Sequence, residues 1–495
     1  MQQLTIKNLY FKYQHSPFPI FENITLEFEK GWSCIVGANG SGKSTLLKLI
    51  SKELLCENGM INGNDLTHYC TQSTEYLPKN LEDFMLTYNS KAFKIRDMLN
   101  IEDAWLYSWD SLSHGERKRV QLAIALFEEP DILLVDEPTN HLDTKSKNIV
   151  LNALKEFQGV GILVSHDREL LDSLSQATII LKNKNISIFK TPFSNAMSQY
   201  QTNVEFLEKT QNQQNIELKK IKKSIQSQNE KVSQSKKRFS KKGLDKNDSD
   251  SKTKINLARL TGKDKNDGQM ITKLQSKQKQ LLSNTIKTDK TYKLGIEFHT
   301  TKSNNIFPIM IKKNILELSE TKKLSYETLS INEHDKIGII GENGSGKSSF
   351  LNTLLFTQDL KENYLYIPQE IEEQASKKIF DEINALPNEI KGEIYTIVRK
   401  LSSDPIKLQA SFIPSPGEIR KLIIAKGLLD SPSLIILDEP TNHMDLDSIF
   451  ALESALKEYN GTMIIISHDN IFLDTLVTET WKFEKENEEM YTISS

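Results

Sequence analysis

GANGSGKST at residues 37–45 returns as GENGSGKSS at residues 341–349. Both stretches fit G-x-x-x-x-G-K-[ST], in which glycines let backbone N–H groups close around phosphate oxygens at the positive end of a helix. In the first copy Gly37, Ala38, Asn39, Gly40, Ser41, Gly42 and Thr45 form the wall, Lys43 reaches the β- and γ-phosphates, and Ser44 is a ligand for Mg²⁺. Gly341, Glu342, Asn343, Gly344, Ser345, Gly346 and Ser349 repeat the wall, with Lys347 and Ser348 in the two special positions. A chance glycine-rich turn could imitate one such loop. Here each copy follows an apolar run (Cys34–Val36, Ile337–Ile340) and opens into an apolar helical stretch, the strand–loop–helix setting that a phosphate loop requires.

LLVDEPTNHLD at 133–143 and IILDEPTNHMD at 435–445 supply acidic partners. Asp136 or Asp438, at the end of a buried strand, can hold the Mg²⁺ of a P-loop site. Glu137 or Glu439, one residue later, can polarise an attacking water. A carboxylate at a helix start would read the same way, but the upstream P-loop argues for chemistry. Between these motifs lies LSHGERKR (112–119), where Ser113, Gly115 and Glu116 open a helix whose N-terminus can grip a γ-phosphate. Its counterpart is PSPGEIRK (414–421), with Ser415, Gly417 and Glu418 in place; Pro416 suits the first helical position but removes one backbone donor. Gln72 and Gln369 fall between P-loop and signature, and their place in the order makes them candidates for Mg²⁺ or water.

These residues need scaffolds to hold them. Ile132–Val135 and Leu434–Leu437 read as buried parallel strands. Motif offsets of 304 (Lys43 to Lys347) and 302 (Asp136 to Asp438, His166 to His468) imply a duplicated domain. The expected architecture is α/β: two tandem P-loop nucleotide-binding domains, residues 1–195 and 301–495, joined by a linker over 196–300. No apolar run approaches the roughly 20 residues of a membrane span. The start lacks a charged-then-apolar signal pattern, and three unpatterned cysteines (Cys34, Cys56, Cys70) suit a reducing, cytoplasmic setting.

The net charge of −3 conceals a division: residues 211–290 hold 21 Lys+Arg against 8 Asp+Glu, a net of +13, leaving −16 elsewhere. Between Pro192 and Gly243 there is no Gly or Pro, enough for about 75 Å of helix. Leu218, Ile221, Ile225 and Val232 step by 3, 4 and 7, with Gln228 interrupting the heptad, and Ile271, Leu274 and Leu281 answer them. That spacing predicts an antiparallel helical hairpin with a narrow seam, where composition alone would allow a disordered polar linker. Its tip is expected at 241–268, mixing Lys241, Lys242, Lys252, Lys254 and Arg259 with Leu244, Ile255, Leu257 and Leu260, after Lys236, Lys237, Arg238 and Phe239. The basic residues suit phosphate oxygens, and the apolar ones suit either nucleobases or the loop's own packing.

The set of motifs resembles the ATP-binding cassette superfamily. Two cassettes in one chain, EPTNHLD/EPTNHMD and a long charged linker resemble its ABC-F subfamily. The resemblance implies head-to-tail closure of the cassettes around two ATPs, the P-loop of one facing the signature of the other within a monomer. It implies that Asp143 and Asp445 belong to D-loops crossing that interface, that His166 and His468 contact the γ-phosphate, and that Tyr13 stacks on adenine. Counting back from the P-loops places Glu317, without a ring, at the corresponding position in the second cassette. It further implies binding at the ribosomal tRNA exit site, the linker directed at large-subunit rRNA near the peptidyl-transferase centre and at the P-site tRNA. Antibiotic protection (lincosamide, pleuromutilin or streptogramin A) is the expected role, since no arm insertion fits in the first cassette. A housekeeping translation factor, the ATPase of an exporter and a DNA-associated ATPase are the alternatives.

Overall fold

The computed structural model describes residues 3–14, 16–63, 66–140, 142–182, 185–238, 263–283, 306–357, 364–410, 414–487 and 489–494. The chain divides into two compact units, one formed by residues 1–196 and 292–495, the other by residues 197–291.

In the larger unit the duplication is visible as one strand order used twice. The first cassette places its strands in the order 67–70, 132–136, 160–164, 31–37, 177–182 and 185–189, and every neighbouring pair but the last is parallel. The second repeats it as 364–367, 434–438, 462–466, 336–341 and 479–485, then adds three further strands at that edge. The central strands of each sheet are almost wholly apolar, as strands buried on both faces of a parallel sheet must be. Leu133, Leu134, Val135, Ile435, Ile436 and Ile464 are buried to 1% exposure or less. Each P-loop strand lies between two parallel neighbours, so its loop emerges at the carboxyl edge, where open α/β sheets bind ligands. Cys34 and Cys70 are core residues whose burial pushes their thiols up to about 12. Among the described residues no helix is long and apolar enough to cross a membrane.

The smaller unit is built on two helices, Phe193–Arg238 and Lys263–Ser283. They run antiparallel: Glu217 pairs with Lys277 at 2.6 Å, and eleven residues further along, Gln228 Nε2 meets Met270 Sδ at 3.7 Å. The predicted seam is the face that packs, with Leu218 and Ile221 buried and Ile225, Ile271, Leu274 and Leu281 half-buried. Gln211, Gln214, Gln228 and Gln278 share that stripe at heptad spacing, so the seam is half polar. The expected tip is corrected at one end. Helix resumes at Lys263 and runs through Gly268, where a loop was expected. An interior glycine costs a helix only roughly 1 kcal/mol, so Gly268 does not end it. Lys236, Lys237 and Arg238 close the first helix. Phe239, Lys241, Lys242, Leu244, Lys252, Lys254, Ile255, Leu257 and Arg259 lie outside the described residues.

Candidate active sites

Each P-loop joins a strand to a helix that starts on its lysine, Lys43–Ile50 and Lys347–Thr357. Gly40 and Gly42 (φ 75° and 99°) and Gly344 and Gly346 (φ 77° and 95°) adopt left-handed backbone that other residues rarely take. A Cβ on Gly42 would lie 2.6 Å from Ile20, and one on Gly346 would lie 2.7 Å from Leu318. Both lysines fold over their own loops. Lys43 Nζ donates to Gly37 O at 2.7 Å and Ala38 O at 3.2 Å, and Lys347 Nζ to Gly341 O at 2.7 Å and Glu342 O at 2.8 Å. Burial lowers both lysine pKa values. The hydroxyls of Ser41 and Ser345 are buried in the loops without a hydrogen-bond partner.

Asp136 and Asp438 end their strands with Oδ1 buried and unbonded. Their other oxygens are occupied differently. Ser348 Oγ donates to Asp438 Oδ2 at 2.7 Å, whereas Tyr69 OH donates to Asp136 Oδ2 at 3.1 Å. Serine, aspartate and one unbonded carboxylate oxygen form a hard-oxygen donor set that suits Mg²⁺ completed by phosphates and water. Gln369 borders the same cleft as Glu439 and His468. Gln72 is exposed, at the end of its strand.

Glu137 and Glu439 follow these aspartates with φ of 46° and 48°, a strained backbone for a residue with a side chain. The strain is held by main-chain bonds from Glu137 N to Val164 O and from Glu439 N to Ile466 O, 2.8 and 2.9 Å. It aims both carboxylates inward. Glu137 Oε2 accepts from His166 N at 3.3 Å with the ring Nε2 3.4 Å from Oε1; Glu439 and His468 repeat this at 3.4 and 3.5 Å. Burial raises Glu137 to about 8 and Glu439 to about 7, while burial and the P-loop lysines push both histidines down to about 3.

The signature serines cap the helices His114–Phe127 and Pro416–Leu429 with the same reciprocal bonds. Ser113 N donates to Glu116 Oε2 at 2.7 Å and Ser415 N to Glu418 Oε2 at 3.0 Å. Pro416 occupies the first turn without disturbing the cap. Gly115 and Gly417 are packed against Leu142 and His443, leaving no room for a side chain.

The two cassettes meet at these loops. Asn39 N donates to Asp445 Oδ2 at 2.9 Å and Asn39 Nδ2 to His443 O at 3.0 Å, which sets the first P-loop beside the second D-loop. The converse contact runs from Asn343 N to Asp143 Oδ2 at 3.4 Å. Asp143 and Asp445 also cap the helices that follow them. Among the described residues four ion pairs cross the face: Lys145–Glu342 (3.8 Å), Arg168–Glu453 (2.9 Å), Arg168–Asp469 (3.2 Å) and Lys182–Asp447 (2.9 Å).

Tyr13 shares a hydrogen bond with Thr45 Oγ1 at 3.1 Å and stands edge-on to Phe11, which leaves it beside the first P-loop helix. In the second cassette Leu318 packs at the P-loop glycine Gly346, and Glu317 is exposed. Sequence reading missed Tyr69, Lys147 and Arg168, and it missed the buried pair Lys118 and Arg420. Lys118 donates to Thr71 O at 2.6 Å and Asp136 O at 3.2 Å; Arg420 donates to the carbonyls of Glu439 and Gln369.

The family model described as "ABC transporter" matches residues 21–140 and again residues 324–442. Together with this geometry, the double match makes the chain a tandem ATP-binding cassette protein and an ATPase, and its curated relatives are consistent with the ABC-F subfamily. It is 28% identical to the ribosome protection protein VmlR of Bacillus subtilis, covering 95% of this chain and 85% of the relative. It is also 28% identical to the ATP-binding protein Uup of Buchnera aphidicola, covering 95% and 79%. An RNase-L inhibitor structure shares the fold with a TM-score of 0.63 at 18% identity, covering 98% of this chain and 90% of that one. The archaeal ribosome recycling factor aABCE1 does so with 0.61 at 18%, covering 98% and 89%.

Proposed function

We propose that this chain is an ATP-driven ribosome-binding factor that enters the tRNA exit site and protects the peptidyl-transferase region from antibiotics. The observation that carries the reading is the combination of P-loops facing D-loops across the cassette interface with a basic, antiparallel helix pair encoded between the cassettes. A helix of 46 residues measures about 70 Å, a length suited to reaching deep into a large particle. Similarity to a protein named for ribosome protection favours the same use.

In this reading each site binds ATP on one P-loop, with Ser44, Asp136 and Gln72, or Ser348, Asp438 and Gln369, holding Mg²⁺. Bound Mg²⁺ neutralises developing charge on the phosphates. Glu137 and Glu439 take the proton of the attacking water, and His166 and His468 contact the γ-phosphate. Lys43 or Lys347 holds the phosphates in cis, and Ser415 with Gly417, or Ser113 with Gly115, completes the site in trans. Tyr13 stacks on adenine at the first site. The linker's basic residues meet rRNA phosphates and the P-site tRNA.

Replacing 244–262 with a short Gly-Ser turn tests the reading. ATP binding and co-sedimentation with ribosomes are expected to survive, because the cassettes keep their cores. Protection of translation from drugs bound at the peptidyl-transferase centre should disappear. A variant that still protects fully reduces the linker to a spacer and ends this reading. Equal identity to Uup favours a second one, a housekeeping translation factor. That reading gains if the intact protein gives no drug protection yet binds ribosomes.

A further inference from the structure

Four residues beyond the D-loop aspartates the two halves differ: Lys147 follows Asp143, and Ile449 follows Asp445. Lys147 lies on the helix Thr144–Lys155 with its side chain 20% exposed. Its Nζ pairs with Asp167 Oδ2 of its own cassette at 2.9 Å and donates across the interface to the main-chain carbonyl of His468 at 3.0 Å. His468 is the residue that joins the reacting groups of the second cassette. Its N–H donates to Glu439 Oε2 at 3.4 Å, and its Nε2 meets Asn343 Oδ1 in the P-loop at 3.1 Å. Lys147 therefore grips, from the other cassette, the backbone that carries both contacts. At the symmetry-related place Ile449 offers only hydrocarbon, so the carbonyl of His166 receives no such bond from it.

We propose that Lys147 is a positioning residue for ATP hydrolysis at the Lys347 site alone, fixing His468 and through it Glu439 from the opposite cassette. The proposal rests on the reading of Glu439 as the group that takes the water's proton. A purely structural role is the competing account: Lys147 would then neutralise Asp167, which caps the helix after His166, and its loss would be felt at the Lys43 site or at both. The interface contact points the other way: across it the ammonium holds the backbone of His468, in the reacting loop of the second cassette. The bond also forms only when the cassettes meet, so it couples closure to alignment of the glutamate, the use of binding energy that favours the transition state.

The test isolates each site. In a Glu137→Gln chain only the Lys347 site hydrolyses, and in a Glu439→Gln chain only the Lys43 site does. Lys147→Ile, which copies the residue found at 449, is placed in both, and single-turnover hydrolysis and ATP affinity are measured. In the Glu137→Gln chain the rate constant should fall about five- to tenfold with ATP affinity within about twofold, the size expected for one lost charge-assisted bond. In the Glu439→Gln chain the rate should hold, and Lys147→Arg should recover most of the loss. Equal losses in both chains, or no loss in the Glu137→Gln chain, overturn the proposal while the glutamate reading stands. If the Glu137→Gln, Glu439→Gln double variant hydrolyses ATP at the normal rate, the glutamate reading falls and takes the proposal with it.

Discussion

Around Lys43 the chain places a tyrosine against the P-loop helix and, in the facing signature, a proline where a backbone donor would stand. Around Lys347 the arrangement is inverted: Leu318 packs at the P-loop, the facing signature has no proline, and a lysine arrives from across the interface. Groups that favour binding are gathered at one site and groups that favour reaction at the other. Only interactions stronger in the transition state than in the ground state accelerate chemistry. The site with the poorer adenine platform should therefore be the faster one.

The severest challenge is to remove both glutamates. Glu137→Gln with Glu439→Gln should cut hydrolysis by about 10²- to 10⁴-fold while ATP binding persists, because an amide cannot accept the water's proton. Radiolabelled phosphate release beside equilibrium ATP binding checks this. Next comes the comparison itself. Glu439→Gln should lower steady-state turnover about tenfold and Glu137→Gln about twofold, since the first disables the site with the complete signature; the opposite ranking would defeat the assignment. Smaller, but specific to one site, is Tyr13→Ala. It should raise the KM for ATP about three- to tenfold in the Glu439→Gln chain, where only the Lys43 site turns over, and leave the KM of the Glu137→Gln chain unaffected.

The smallest effect expected is a displacement in pH. Burial raises both glutamates, so each is protonated at low pH and gains basicity only as pH rises through its own value. The general base must be ionised, so kcat/KM should climb with pH, not fall. With values of about 7 for Glu439 and about 8 for Glu137, the rise in the Glu137→Gln chain should precede that in the Glu439→Gln chain by about one unit. Coincident profiles would mean that the free protein's electrostatics do not distinguish the sites.

What could be read beforehand was whatever the chain writes contiguously. P-loops, acidic strand ends and signature caps are set by neighbours within a few residues, so Lys43, Asp136 and Ser113 appear where their motifs place them. The heptad of the linker helices was legible for the same reason: a stripe is a local property. Tyr69 was not, because its hydroxyl reaches Asp136, 67 residues on, only once two strands become neighbours in the sheet. Lys147 was invisible because its partner is 321 residues away and on the other cassette.

The four ion pairs across the cassette face carry one more consequence. In each of them the first cassette supplies the cation and the second the anion. A domain that had just been duplicated would have met an identical twin, and an identical twin cannot answer Arg168 with Glu453: it offers Leu151 there, and Asn470 stands where a second arginine would be. Two first cassettes brought together would set Lys182 against Lys145, and two second cassettes would set Asp447 against Glu342 and Glu484. The face thus tells the halves apart as a coloured plug and socket would. Unlike charges reward the mixed pair and like charges tax the two self-pairs. Symmetry was the starting condition of this molecule, and its surface chemistry has since made each half the obligate complement of the other.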